Sequence, residues 1–133
     1  MAHTTPPSPA GRLSEEDLRQ LAAICRDAAR RFFDVTLDLS PASLAVADRI
    51  ISQALETPEP TLGAVLPWGA YLGEVVVRHL DGRWAPRDPL LDTAVIVGQR
   101  TLLPFRRAAQ RLRGGAAYAL ERCYQDLAEG KEE

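Results

Sequence analysis

A chain of 133 residues, 46% hydrophobic and 26% charged, is long enough for one domain and ordinary enough to fold as a globular one. Its formal net charge of -2 supplies no global field for nucleic acid or an acidic membrane. No apolar run approaches the ~20 residues that span a bilayer, and residues 1–11 lack an apolar leader core, so a cytoplasmic protein is expected.

Residues 1–12 hold Pro6, Pro7, Pro9 and Gly11 among small residues and read as a disordered tail. The globular domain is expected over 13–129, with 130–133 as a second tail. Ser14 followed by Glu15, Glu16 and Asp17 is a helix start, with Leu13 able to staple onto Leu18. That helix is predicted over Glu15–Phe33, burying Leu18, Leu21, Cys25, Ala28, Phe32 and Phe33. Val35–Leu39 is extended, a short strand or a link. Ser40-Pro41 repeats the start signal, with Ser40 as cap and proline at the first helical position. Leu44, Ala47, Ile50, Ile51, Ala54 and Leu55 give that second helix its apolar face. Thr57-Pro58-Glu59-Pro60 breaks it.

A third helix begins between Pro58 and Thr61. Leu62, Val65, Gly69, Leu72, Gly73, Val76 and Leu80 share one helical face. Each glycine costs about 1 kcal/mol against alanine inside a helix, so two on the apolar side imply a close approach of another backbone element. Pro67 lacks a backbone donor and is expected to kink or split this helix. Asp81-Gly82 offers a terminating glycine, and Arg83-Trp84 starts a strand over 83–86. Trp68 and Trp84 are core candidates; Trp68, next to Pro67 near a helix start, is also a candidate for partial exposure at a protein interface.

Pro86–Pro89 reads as a turn. Ala94–Val97 and Arg100–Leu103 flank Gly98-Gln99, the signature of an antiparallel hairpin 94–97/100–103 with a two-residue type II′ turn. Pro104 opens a helix with Phe105, Ala108, Ala109 and Leu112 inward, stopped by Gly114-Gly115. Ala116–Leu127 forms the last helix, with Ala119, Leu120, Cys123 and Leu127 inward. The fold class is α+β, about five helices around a small antiparallel sheet.

Gly69-Ala70-Tyr71-Leu72-Gly73-Glu74, followed by Gly82-Arg83-Trp84, resembles small bacterial domain-of-unknown-function families with a G-A-Y-L-G-E helix and a G-x-W strand. The similarity covers roughly residues 35–125 and extends into Val97-Gly98, Pro104-Phe105 and Arg111-Leu112. It carries no activity, cofactor or catalytic residue. Lys131 is the only lysine among the sixteen Lys and Arg residues, which fits a GC-rich bacterial genome.

Chemistry-bearing residues are few. Tyr71, Glu74 and His79 are the acid/base candidates nearest in sequence, and Glu74 stands four residues before Arg78, the order for a helical salt bridge. Tyr71, Glu74, Arg78 and Trp84 form the candidate pocket. Only His3 and His79 are histidines, and no paired Cys or His has ligand spacing, so no metal is expected. No phosphate loop or nucleophile elbow is present, so no cofactor is expected either. Cys25 and Cys123 read as buried free thiols. Arg100, Arg106, Arg107, Arg111 and Arg113 lie in an acid-free stretch and form a candidate docking patch. The reading that follows is a non-enzymatic module binding another protein or itself. Nucleic-acid binding through helix 104–113 is the alternative, disfavoured by the net charge, and an enzyme using Glu74 is the third.

Overall fold

A computed structural model describes residues 12–130. The tails expected at 1–12 and 130–133 lie, but for Arg12 and Gly130, outside the described residues. Within them the fold is α+β, with helices α1 (Glu15–Phe33), α2 (Ser43–Ile50), α3 (Leu62–His79), α4 (Pro104–Leu112) and α5 (Leu120–Ala128). Strands β1 (Arg83–Ala85), β2 (Ala94–Val97) and β3 (Arg100–Leu102) form an antiparallel sheet of order β1-β2-β3. No helix among the described residues is long and apolar enough to cross a membrane.

The local start signals act as their chemistry requires. Ser14 accepts from the Asp17 amide while Asp17 accepts from the Ser14 amide, a reciprocal capping box. Ser40 Oγ accepts from the Ser43 amide, but the bonds from Ser43, Leu44 and Ala45 span three residues. The second helix therefore enters through a tight turn, and its α-helical part starts at Ser43 rather than beside Pro41. It then widens into a π turn over Ile51–Leu55. The hairpin forms with Val97 opposite Arg100 and Gly98 at φ 61, as a two-residue turn demands.

Helix α3 is the centre. From Trp68 to Val76 every residue is buried, so it is enclosed all round rather than on one face. Helices α1 and α4 both pack along it, and β1 and β2 lie against it. Trp68 is thus core, not a partly exposed interface residue, and Leu62, expected inside, is 53% exposed. The helix runs unbroken through Pro67.

Two glycines make the enclosure possible. A Cβ on Gly69 would stand 3.0 Å from Phe105 Cα, where α4 begins. A Cβ on Gly73 would stand 2.1 Å from Trp84 Cη2, so the second close approach is an indole ring and not backbone. Trp84 and Phe105 stack on each other with centroids 6.4 Å apart. The stop after α3 also differs from expectation. Asp81 takes the left-handed conformation, at φ 59. Gly82 is needed for space instead, since its Cβ would meet Val95 Cγ1 at 2.9 Å.

On α1 the buried set is Leu18, Ala22, Cys25 and Ala29, while Phe32 is 75% exposed. Both stripes fit a helical period; the alanine-rich one wins because small side chains let α1 lie close to α3. The last helix starts late: Ala116–Tyr118 is a 3₁₀ turn and Ala119 is extended. Val35–Leu39 forms a link with no strand.

Gly73→Ala should cost about 2 kcal/mol or more, because the new methyl overlaps an indole that also stacks on Phe105. Gly63→Ala, whose Cβ meets nothing nearer than Thr61 Oγ1 at 3.6 Å, should raise stability by up to about 1 kcal/mol. Urea denaturation of both variants checks the pair; equal midpoints would refute the packing account.

Candidate functional site

The candidate pocket of Tyr71, Glu74, Arg78 and Trp84 is packing, not a cleft. Glu74 is 7% exposed, and its Oε2 accepts from Trp84 Nε1 at 2.8 Å. Among the described residues the expected Glu74–Arg78 salt bridge does not form. The buried indole N–H needs an acceptor, and Glu74 is the one beside it; Arg78 is exposed.

Tyr71 holds the link before α2. Its hydroxyl oxygen accepts from the Leu39 amide at 2.8 Å and lies 2.6 Å from Ser43 Oγ. Ser43 Oγ donates to the Ser40 carbonyl, so the phenol donates to Ser43. His79 Nε2 lies 3.0 Å from the Leu39 carbonyl, which can only accept, so Nε2 carries the proton. Leu39 has φ 63, a conformation disfavoured for leucine, and α3 grips both of its polar backbone groups. Burial pushes the Tyr71 phenol above its ordinary pKa, and burial does the same to the Cys25 thiol. Cys25 and Cys123 are buried thiols that form no disulfide.

The five arginines of the expected docking patch do not share one face. Arg111 is 2% exposed. Its Nε donates to Asp48 Oδ1 at 3.0 Å, Nη1 to Glu56 Oε2 at 2.9 Å, and Nη2 to the Asp48 carbonyl and Ser52 Oγ. The carboxylate of Asp48 also accepts from the Leu120 and Glu121 amides at 2.8 and 3.0 Å, capping α5 from a distant helix. Arg111 is therefore a structural bridge, withdrawn from the surface because its partners surround it. Arg100 reaches the Leu127 carbonyl near the end of α5, where a cation is favoured. Arg113 is exposed beyond α4.

Arg106 and Arg107 remain at the surface, in the first turn of α4. Cations are disfavoured at that end of a helix, which is the positive pole of its dipole. Asp92 offsets one of them, pairing with Arg106 at 2.6 Å. The Arg107 guanidinium carbon lies 5.5 Å from the centre of the Tyr118 ring, a cation–π contact. Tyr118 is 41% exposed. Its ring is folded back over Gly115, whose Cβ would stand 2.5 Å from Tyr118 Cδ2. Between these elements lies a cleft of about 350 Å³, lined by Thr101, Leu102, Leu103, Arg106, Arg107, Gln110 and Tyr118, with no acid among them. Tyr118 and Gln110 were not anticipated from the sequence; the contact depends on the turn after α4, which carries no periodicity.

No group of three or more His, Cys, Asp or Glu that could hold a metal ion occurs among the described residues. His3 lies outside them.

Arg111→Met should destabilise by about 3–5 kcal/mol, since Asp48 would be left without its charge partner in a poorly hydrated site. Chemical denaturation checks this, and a loss under about 1 kcal/mol would show that water replaces the guanidinium. A second expectation concerns alkali. Cys25 and Tyr71 both have pKa values raised by burial. Their contribution is therefore complete below the unfolded values, about 8.5 and 10, and is lost as pH rises through and beyond them. Thermal midpoints should fall above about pH 8.5, and the fall should be shallower in Cys25→Ala. Identical slopes would refute the role of Cys25.

No family model, curated relative or solved structure matches this chain.

Proposed function

We propose that this chain is a non-catalytic protein-interaction module, whose contact surface is the cleft between β3, the first turn of α4 and Tyr118. One observation carries the reading: Arg106, Arg107 and the half-exposed Tyr118 line one concavity beside β3. Arginine and tyrosine are enriched among the residues that dominate binding energy at protein interfaces. The side chains an enzyme reading would use point the same way, because Glu74 and Tyr71 are consumed by Trp84, Leu39 and Ser43. A bacterial, cytoplasmic setting and the resemblance carried by Gly69–Glu74 belong to the same proposal.

The test compares affinity capture by the wild-type chain and by an Arg107→Glu, Tyr118→Ser variant from a nuclease-treated lysate. Arg111 is left intact because its loss would unfold the comparison. The same proteins should be captured by the wild type and lost at least about tenfold in the variant. Equal recovery by both chains would remove the cleft from consideration. Submicromolar binding of labelled duplex DNA that vanishes in the variant would replace the protein partner by a nucleic acid.

A further inference from the structure

We infer that the groove between α1 and the link 35–39 binds a phosphoryl dianion, as inorganic phosphate or as the monoester of a small molecule, through Arg26, Arg30 and Thr36. The groove shares no lining residue with the cleft beside β3, so the inference stands apart from the interaction-module reading.

The groove is made by the way α1 ends. Asp34 takes the left-handed conformation, at φ 55, and its amide returns to the carbonyls of Ala29 and Arg30. The Val35 amide also returns to the Ala29 carbonyl. The chain therefore doubles back along the helix. The Leu37 carbonyl then accepts from Arg26 Nε at 2.8 Å. Leu37 is itself buried to 1% exposure, and α3 holds Leu39 two residues on, so this wall is anchored. The space between wall and helix, about 370 Å³, is lined by Ala23, Arg26, Asp27, Arg30, Thr36 and Leu37. That volume lies at the small end of the range for small-molecule pockets, roughly 300–1,000 Å³.

Its cations differ from those beside β3, where Asp92 and Tyr118 engage Arg106 and Arg107. Arg26 spends Nε on a neutral carbonyl, and its two Nη groups meet no acceptor among the described residues. Arg30, one turn on, makes no side-chain hydrogen bond or ion pair among them. Asp27, the acid in the lining, is paired with Arg31 at 3.1 Å, and Asp38 accepts from the Ser40 amide. The helix dipole accounts for cations in the last turn, Arg30 and Arg31 alike. It does not account for Arg26, which precedes that turn and is tied to the facing wall beside a like charge. Like charges four residues apart on a helix repel, and a dianion between them relieves both. Thr36 is exposed and adds a hydroxyl donor. A carboxylate, with two oxygens and one charge, fills a single guanidinium fork. A phosphomonoester, with three terminal oxygens and a charge of about −1.5 to −2, meets both forks. A phosphodiester carries one charge, so a nucleic-acid backbone is the poorer fit.

The experiment uses the full chain and follows the arginine Nε–H signals in ¹⁵N spectra at constant ionic strength. The probes are inorganic phosphate, glycerol phosphate, dimethyl phosphate, acetate and a short phosphoserine peptide. Inorganic phosphate and glycerol phosphate should shift the Arg26 and Arg30 signals saturably. Dimethyl phosphate and acetate should bind at least about tenfold more weakly. Arg30→Gln, at an exposed position, should weaken glycerol phosphate about tenfold or more, whereas Arg83→Gln, an equal loss of charge on β1, should not. Arg26→Lys keeps the charge, loses the fork and its tether, and should weaken binding as well. Tighter binding of glycerol phosphate than of inorganic phosphate assigns an organic monoester, and equal affinities assign inorganic phosphate; either result upholds the site. No shift from either of the two overturns it. Shifts spread without saturation over many arginines, or an equal loss in Arg83→Gln, overturn it as general attraction of anions. Dimethyl phosphate or acetate binding as tightly as phosphate overturns the dianion. A phosphoserine peptide bound about tenfold tighter than glycerol phosphate overturns the small molecule in favour of a phosphorylated protein.

Discussion

A guanidinium buried to 2% exposure is tolerable only if each face of it is met by an acceptor, and that condition organises half of this molecule. Arg111 comes from α4, Asp48 from α2, Ser52 from the π turn and Glu56 from the segment after it. Asp48 then spends its remaining lone pairs on the first amides of α5, a helix whose own preceding residue, Ala119, has no side chain that can cap. Three stretches of the chain, 48–56, α4 and the start of α5, are thus locked through one charge. The π turn belongs to the same arrangement. Arg111 donates to the Asp48 carbonyl just before the helix widens, and a side chain entering the helical bond ladder is a recognised cause of such distortion.

The other half is organised by α3. In Gly69-Ala70-Tyr71-Leu72-Gly73-Glu74 nearly every residue meets a specific demand of enclosure. Gly69 admits Phe105, Gly73 admits Trp84, and Glu74 satisfies the indole that Gly73 admitted. Tyr71 faces the other way and secures Leu39. A polar residue in the middle of a core invites a catalytic reading as well as a packing one. Here both Tyr71 and Glu74 satisfy backbone or ring donors that would otherwise be buried without partners, which costs about 1–3 kcal/mol each.

What was legible in the sequence was what local chemistry determines. Ser14 with Asp17, the Gly98-Gln99 turn and the boundaries of α1 follow from caps, periodicity and turn residues within a few positions of each other. The two glycines of α3 announced close contact, though not that one visitor would be a ring. What was not legible required partners far along the chain. Arg111 looks identical to Arg107 in sequence, four residues apart on one helix, and only Asp48 and Glu56, more than fifty positions away, separate their fates. The start of α5 is hidden for the same reason. The stripe on α1 was ambiguous because two sets of positions both satisfy the helical period, and only the proximity of α3 chooses between Phe32 and Ala29.

These two halves meet in α4. Its inner side carries Phe105 against Gly69 and Arg111 against Asp48, which together fix the rotation of a helix of nine residues. With rotation fixed, Arg106, Arg107 and Gln110 have nowhere to point except toward the cleft beside β3. The placement of two cations in the first turn of α4 works against the helix dipole, and the structure tolerates it because the opposite end is anchored by a buried ion pair. Asp92 and Tyr118 offset part of that electrostatic cost. Stability and surface are therefore coupled through one short helix. A change at Asp48, remote from the cleft in sequence and partly buried at the start of α5, would free α4 to turn, and with it the arginines that line the cleft.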